Sequence, residues 1–184
     1  MSPIFLIHKG TSCIMFKLFG ACFLVVGGYF WGESIARKKK KRYQLLLEWS
    51  QILMDIEGEI RTMATPLPVL LIEIGEKSKS EIGDILIETG NRMQRREHLS
   101  FSEIWEEELK KVNLEVEKDE LDRMISVGNN LGFLDKSQQV LFLQQSRQEL
   151  KIPIETAFTQ WKDAKGFYEK IGILAASMMV IMLL

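Results

Sequence analysis

The chain separates its apolar residues from its charged residues along the sequence, and this separation limits what it can fold into. Residues 18–32 carry no charge and are mostly apolar, and the basic run Arg37–Arg42 follows closely. Residues 171–184 are again uncharged, whereas the long stretch between the two apolar ends is polar. Apolar segments flanked by a basic cluster are typical of membrane anchors. The pattern predicts a soluble domain held between two anchors.

The two predicted anchors differ in length. Residues 15–36 are long enough to cross the roughly 30 Å hydrocarbon core of a bilayer as a helix. The second anchor, 166–184, has an uncharged part that covers only about 21 Å as a helix. It spans only if Lys165 and Lys170 extend their ammonium groups to the interface. An amphipathic or buried C-terminal helix therefore stays open as the alternative.

The basic residues beside the anchors predict the orientation of the chain. The run at 37–42, which we call the collar, and three lysines before residue 171 place the soluble domain in the cytoplasm by the positive-inside rule. A signal peptide is disfavoured because the collar follows the apolar run and does not precede it. Binding of anionic lipid by the collar stays open. Met15-Phe-Lys-Leu resembles a natural start, so residues 1–14 are either native or an extension from start-codon choice.

The composition of the soluble part excludes several classes of function. Residues 43–170 contain 16 basic and 24 acidic residues, a net charge of −8, which argues against a nucleic-acid partner. Cys13 and Cys22 lie in or beside the first apolar segment, and His8 and His98 are far apart. This distribution leaves no disulfide framework and no spaced set of zinc ligands. We expect no catalytic residue, cofactor, metal ion or small-molecule substrate.

The body, residues 43–165, is predicted to be an all-α bundle of about six helices flanked by the two transmembrane helices. Its first helix has apolar residues spaced by four, three, four, four and three positions: Leu45, Trp49, Ile52, Ile56, Ile60 and Met63. Thr65-Pro66 predicts a helix start with Thr65 as N-cap, and Gly75 or Lys79-Ser80 its end. Ser100–Glu103 and Asp135–Gln138 are capping patterns. Pro153 predicts a break before the last helix.

Trp49, Trp105 and Trp161 each lie on an apolar stripe, so we expect all three in the core. Gly128 and Gly132 are four residues apart on one predicted helix. We favour a packing notch at Gly128 and a C-terminal cap at Gly132, and the alternative is close approach by a partner helix. Together with Asn129, Leu134 and Asp135 they form a candidate structural or partner-contact motif.

Residues 103–122 contain nine acidic and three basic residues. Such a segment either docks a basic partner or forms a solvated helix surface. The candidate docking face contains Glu103, Glu106, Glu107, Asp119 and Glu120. Nothing in their spacing marks one carboxylate as an acid and another as a base.

Three segments carry a resemblance to known families. Thr65–Pro68, His98–Trp105 and Met124–Asp135 resemble, in order and character, the inner-membrane platform proteins of type II secretion and type IV pilus systems. Those proteins favour Glu after the glycine, where this chain has Asn129-Asn130, so a role carried by that carboxylate is in doubt. They also have two helical domains and usually three spans, whereas this chain has one domain between two anchors.

The arrangement of a single domain between two anchors resembles the stage III sporulation protein AB family. The opening Met15-x-Lys-Leu-x-Gly-Ala21 and the run through Leu131, Gly132, Asp135 and Gln139 carry this resemblance, which covers residues 15–184. It implies a non-enzymatic membrane scaffold, in the mother-cell membrane around the forespore, within a secretion-like complex. The implied partners are membrane lipid and other subunits of the assembly, including a cytoplasmic ATPase. A signalling adaptor with a helical dimer interface and a membrane-bound enzyme of unrecognised type are the alternatives.

Overall fold

The computed structural model of the chain describes residues 4–62, 65–95, 98–131 and 135–183, with side chains from residue 33 to residue 167 and at a few positions beyond. Every regular element in these ranges is an α-helix, which confirms the all-α prediction. The helices are α1 (Ile4–Thr62), α2 (Leu67–Lys77), α3 (Glu81–Gln94), α4 (Phe101–Lys111), α5 (Lys118–Leu131), α6 (Lys136–Glu149) and α7 (Lys151–Leu183).

The chain divides into two compact units. One comprises Met1–Lys39 and Gln160–Leu184, and the other, which we call the bundle, comprises Lys40–Thr159. The bundle therefore begins three residues before the predicted body and ends six residues before its end. It contains the C-terminal part of α1, all of α2 to α6, and the first residues of α7.

The predicted anchors, 15–36 and 166–184, fall largely outside the residues whose side chains are described. Both segments belong to longer helices, since α1 begins at Ile4 and α7 ends at Leu183. Within the described part of the chain, no helix combines the length and the apolar character that a membrane span requires.

The part of α1 inside the bundle is amphipathic, and its apolar face forms the centre of the core. Six of its apolar side chains are at most 4% exposed: Leu45, Leu46, Trp49, Ile52, Leu53 and Ile56. Helices α2 to α6 pack in chain order, each against the next. Trp49 and Trp105 are both 2% exposed, as predicted, whereas Trp161 is partly exposed, so the prediction that it lies in the core is wrong.

Turn chemistry sets most of the helix boundaries. Ser100 and Glu103 form the predicted capping box at the start of α4, and Asp135 caps α6. The start of α2 differs by one residue, because Pro66 and not Thr65 occupies the N-cap position. The last helix begins at Lys151, since a proline in the first turn of a helix, here Pro153, is tolerated there.

Helices α2 and α3 approach each other closely at a glycine. Gly75 was a candidate helix end, but it lies buried inside α2. A Cβ atom at Gly75 would lie 2.6 Å from the carbonyl oxygen of Gly83 on α3. The helix instead ends at Lys77, where the Ser78 amide donates to the carbonyl oxygens of Ile74 and Gly75. Gly75 is therefore required for close packing between helices and not for chain termination.

Candidate interaction surfaces

The predicted motif begins at a notch in α5 that holds the ring of Trp105. A Cβ at Gly128 would lie 2.2 Å from Cδ1 of Trp105, so only glycine leaves room for the indole. The ring stacks on Trp49 with centroids 5.8 Å apart, and its Nε1 donates to the carbonyl oxygen of Met124 at 2.9 Å. Gly128 is buried, and it lets α5 pack against Trp105 of α4, which in turn stacks on Trp49 of α1 in the core.

The remaining residues of the motif have separate roles. Asn129 Oδ1 accepts a hydrogen bond of 2.6 Å from Ser102 Oγ, which links α5 to α4 at an exposed position. Asp135 Oδ1 accepts from the Gln138 amide at 2.8 Å and caps α6. Gly132 and Leu134 lie outside the described residues. Gly128 and Asn129 of α5 thus both contact α4, whereas Asp135 stabilises the start of α6.

Three of the five predicted docking carboxylates lie on α4, and each is engaged inside the chain. The Ser100 amide and hydroxyl both donate to Glu103 Oε2 at 2.7 Å, and they lower the pKa of this carboxyl. Glu106 pairs with Lys110 one turn later. Glu107 accepts from Arg92 of α3 at 2.9 Å. Glu103 and Glu107 remain exposed despite these contacts, so their surface is still accessible to a partner.

The other two predicted carboxylates lie in the first turn of α5, and they differ in exposure. Asp119 is exposed, whereas the Glu120 side chain is 1% exposed. Assigning Glu120 to a docking face is therefore wrong. Its carboxylate receives Arg42 Nη2 at 2.6 Å and Nε at 3.1 Å, and the Glu117 amide at 2.8 Å. The hydrogen bonds from Arg42 to Glu120 raise the pKa of Arg42, although burial opposes this shift.

A second buried carboxylate connects α1 to α6. Glu57 is 7% exposed and accepts hydrogen bonds from Arg61, from Gln144 at 2.8 Å and from Arg147 at 3.0 Å. Burial alone raises the pKa of Glu57, but these donors outweigh burial and lower the pKa below its ordinary value of 4.5. The carboxylate is thus ionised and its hydrogen-bonding capacity is used within the bundle.

A third buried pair connects α3 to α4. Arg92 is 9% exposed, and its Nη1 donates to Glu108 Oε1 at 2.6 Å. Lys111 donates to the same oxygen at 2.6 Å. Burial raises the pKa of Glu108, but Lys111 and Arg92 together lower it below the usual range. Among the described residues, no group of three or more His, Cys, Asp or Glu side chains is placed to hold a metal ion.

Sequence reasoning missed these three buried ion pairs, although the helical period contained the signal. Glu120, Met124, Val127 and Leu131 follow one another at spacings of four, three and four positions, so Glu120 lies on the buried face of α5. Arg92 follows Ile85 and Thr89 in the same way on α3. A charged residue in register with an apolar stripe therefore indicates a buried pair, but the period does not identify its partner.

The sequence and the fold are similar to those of known proteins. A family model described as stage III sporulation protein AB matches residues 17–184. The stage III sporulation protein AB of Bacillus subtilis (strain 168) is 23% identical over 172 residues, which cover 92% of this chain and 100% of that protein. A solved structure of stage III sporulation protein AB has a TM-score of 0.61 at 21% identity, and the match covers 66% of this chain and 97% of the other. The chain belongs to the stage III sporulation protein AB family.

Proposed function

We propose that this protein is a non-enzymatic scaffold anchored in the mother-cell membrane around the forespore. In this proposal residues 15–36 and 166–184 are the anchors, and the bundle lies in the cytoplasm. It holds other subunits of a sporulation-specific, secretion-like complex, including a cytoplasmic ATPase, at the membrane. Membership in a sporulation family and the charge pattern of the sequence support this role.

One observation carries the proposal furthest: the end of the collar is part of the bundle. Lys41 donates to Glu81 of α3 at 2.7 Å, and Arg42 pairs with Glu120 of α5. Lys41 and Arg42, the last two basic residues of the collar, are therefore held by other helices of the bundle. A scaffold needs such a connection, because it works by holding its partners at a defined place.

The exposed carboxylates supply the surface for a basic partner. Asp119 and Asp122 on α5 are exposed, as are Glu103 and Glu107 on α4. Opposite charge across an interface speeds association and sets its register more than it adds affinity. A partner with a basic face, such as the ATPase, fits this chemistry.

Orientation is tested by labelling single cysteines in a chain with Cys13→Ser and Cys22→Ser. An exposed residue of the bundle, Asn113→Cys, and a cysteine added after Leu184 serve as the two probes. A membrane-impermeant maleimide applied to intact protoplasts of non-sporulating cells that express the protein, where the anchoring membrane is the cell surface, should label the C-terminal probe and spare Asn113→Cys. Equal labelling of both probes after lysis is the control. Protection of both probes before lysis would show that the final helix does not span.

Partner binding is tested by recovering the full-length protein from sporulating cells and identifying the bound proteins by mass spectrometry. The double variant Asp119→Lys/Asp122→Lys should lose the ATPase. Glu73→Lys/Glu76→Lys on α2 makes the same change of charge at exposed sites and should retain it. If the unaltered protein captures no ATPase but associates with itself, the signalling adaptor is the better function.

A further inference from the structure

The outward face of α1 in the bundle carries an uncharged stripe. Its members recur at alternating spacings of three and four residues: Gln44, Leu47, Gln51, Met54 and Gly58. All five are exposed, and Leu47 and Met54 are each 41% exposed. This spacing is that of the a and d positions in a coiled-coil heptad. We call these five residues the outer stripe.

Packing inside the bundle does not account for the outer stripe. The buried face of the same helix already supplies the core through Leu46, Trp49 and Leu53. Packing within the bundle does not require glycine at position 58, because a Cβ there would meet nothing within 4 Å. Alanine would also be the more favourable residue inside a helix. Two large exposed apolar side chains one heptad apart, followed by an open glycine, form a surface on which a second helix can lie closely.

We propose that the outer stripe is a parallel interface between two copies of this chain. In a parallel pair each a or d residue faces its own copy, so a charged residue there would face a like charge. The outer stripe contains no charge, whereas Lys40 precedes it and Arg61 follows it. The proposed interface therefore extends over about 21 Å of the helix, from Gln44 to Gly58.

The flanking positions favour the parallel orientation. With Gln44 and Gln51 at a, a parallel pair places Tyr43 beside Glu48 of the second copy and Ser50 beside Asp55. Neither contact joins like charges. An antiparallel pair would instead bring Glu48 near Asp55 of the second copy, which is a like-charge contact and unfavourable.

Two heptads are short for a coiled coil, but two physical factors compensate. The bundle already holds α1 as a helix, so association does not have to order it. Two copies anchored in one membrane also share an orientation and a high local concentration. This second factor rests on the proposed function, whereas the composition of the outer stripe does not.

Disulfide cross-linking of the full-length protein in membranes tests the interface. In a chain with Cys13→Ser and Cys22→Ser, Gln51→Cys should give a disulfide-linked dimer on mild oxidation. Gln148→Cys, exposed on α6, is the matched control and should not. Adding Leu47→Lys and Met54→Lys to Gln51→Cys should lower the dimer yield about tenfold, because like charges would then face each other.

A second variant separates loss of the interface from loss of the fold. Gly58→Lys has open space within one chain, so it should keep the thermal stability of the protein, yet it places like charges against each other in a parallel pair and should reduce cross-linking of Gln51→Cys. Equal yields from Gln51→Cys and Gln148→Cys, or no dimer from either, would overturn the interface. Fractionation tests anchoring separately. A chain recovered in the soluble fraction would contradict the proposed function, and its cross-linking pattern would still decide the interface.

Discussion

The Arg42 guanidinium donates to both carboxylate oxygens of Glu120, at 2.6 and 3.1 Å, and so ties α1 to the first turn of α5. The two residues are 78 positions apart in the sequence. The Glu120 side chain is 1% exposed and that of Arg42 12% exposed, so the pair is shielded from water. Together with the ion pair from Arg42 Nη1 to Glu117 at 2.6 Å, this contact makes the last residue of the collar a structural part of the bundle.

Arg42→Met should therefore destabilise the bundle by roughly 3–5 kcal/mol, because it leaves the Glu120 carboxylate buried without its partner. Urea unfolding of a fragment covering residues 40–159 measures this loss. Lys41→Met is the matched control. Its pair with Glu81 is 45% and 39% exposed, and such surface pairs contribute about 0–1 kcal/mol. Equal losses of stability from the two substitutions would contradict a larger contribution of the buried Arg42–Glu120 pair than of the exposed Lys41–Glu81 pair.

Two glycines should respond to the same substitution in opposite directions. Gly128→Ala should cost about 1–3 kcal/mol, since the added methyl group would lie 2.2 Å from Cδ1 of Trp105. Gly58→Ala should stabilise the bundle by about 0.5–1 kcal/mol, because its surroundings are open and alanine is the better helix former. Thermal melting of both variants checks the contrast. A stability gain at Gly128 would mean that Trp105 has another accessible position.

Acid should destabilise the bundle through Glu57 and Glu108. Each carboxyl has a folded-state pKa below its ordinary value of 4.5, so each favours the folded state fully above that value. This contribution falls as the pH drops through 4.5 and is lost below the folded-state pKa. Melting temperatures measured from pH 7 to pH 3 should fall across this window. Glu57→Gln should be less stable at pH 7 by on the order of 1–3 kcal/mol and should show a shallower fall. Parallel pH curves for the two proteins would contradict the assignment.

Asp135→Ala should lose roughly 1 kcal/mol, because the Gln138 amide at the start of α6 loses its acceptor. Asp135→Ser should retain most of the stability, since a serine hydroxyl also caps. Melting of the fragment and sporulation frequency of cells with each variant are the two measurements. If Asp135→Ala blocks sporulation while the fragment melts normally, Asp135 contacts a partner, and capping is not its main role.

Local chemistry made several elements predictable from the sequence. Ser100 with Glu103, and Asp135 with Gln138, mark helix starts because capping uses neighbours within one turn. The same reasoning placed Trp49 and Trp105 in the core, since each lies on an apolar stripe. It was less reliable at Thr65 and Gly75, where proline placement and packing between helices decide the outcome.

The sequence by itself determined the all-helical class, the amphipathic face of α1 and the acidic character of residues 43–170, because these properties depend on residue type and short-range spacing. Tertiary structure alone decided which partners the buried charges have, since Glu120 and Glu57 pair with residues far along the chain. It also decided that Gly128 accommodates Trp105 and that Gly58 faces open space. A one-dimensional pattern shows which face of a helix is apolar, but only packing shows what that face meets.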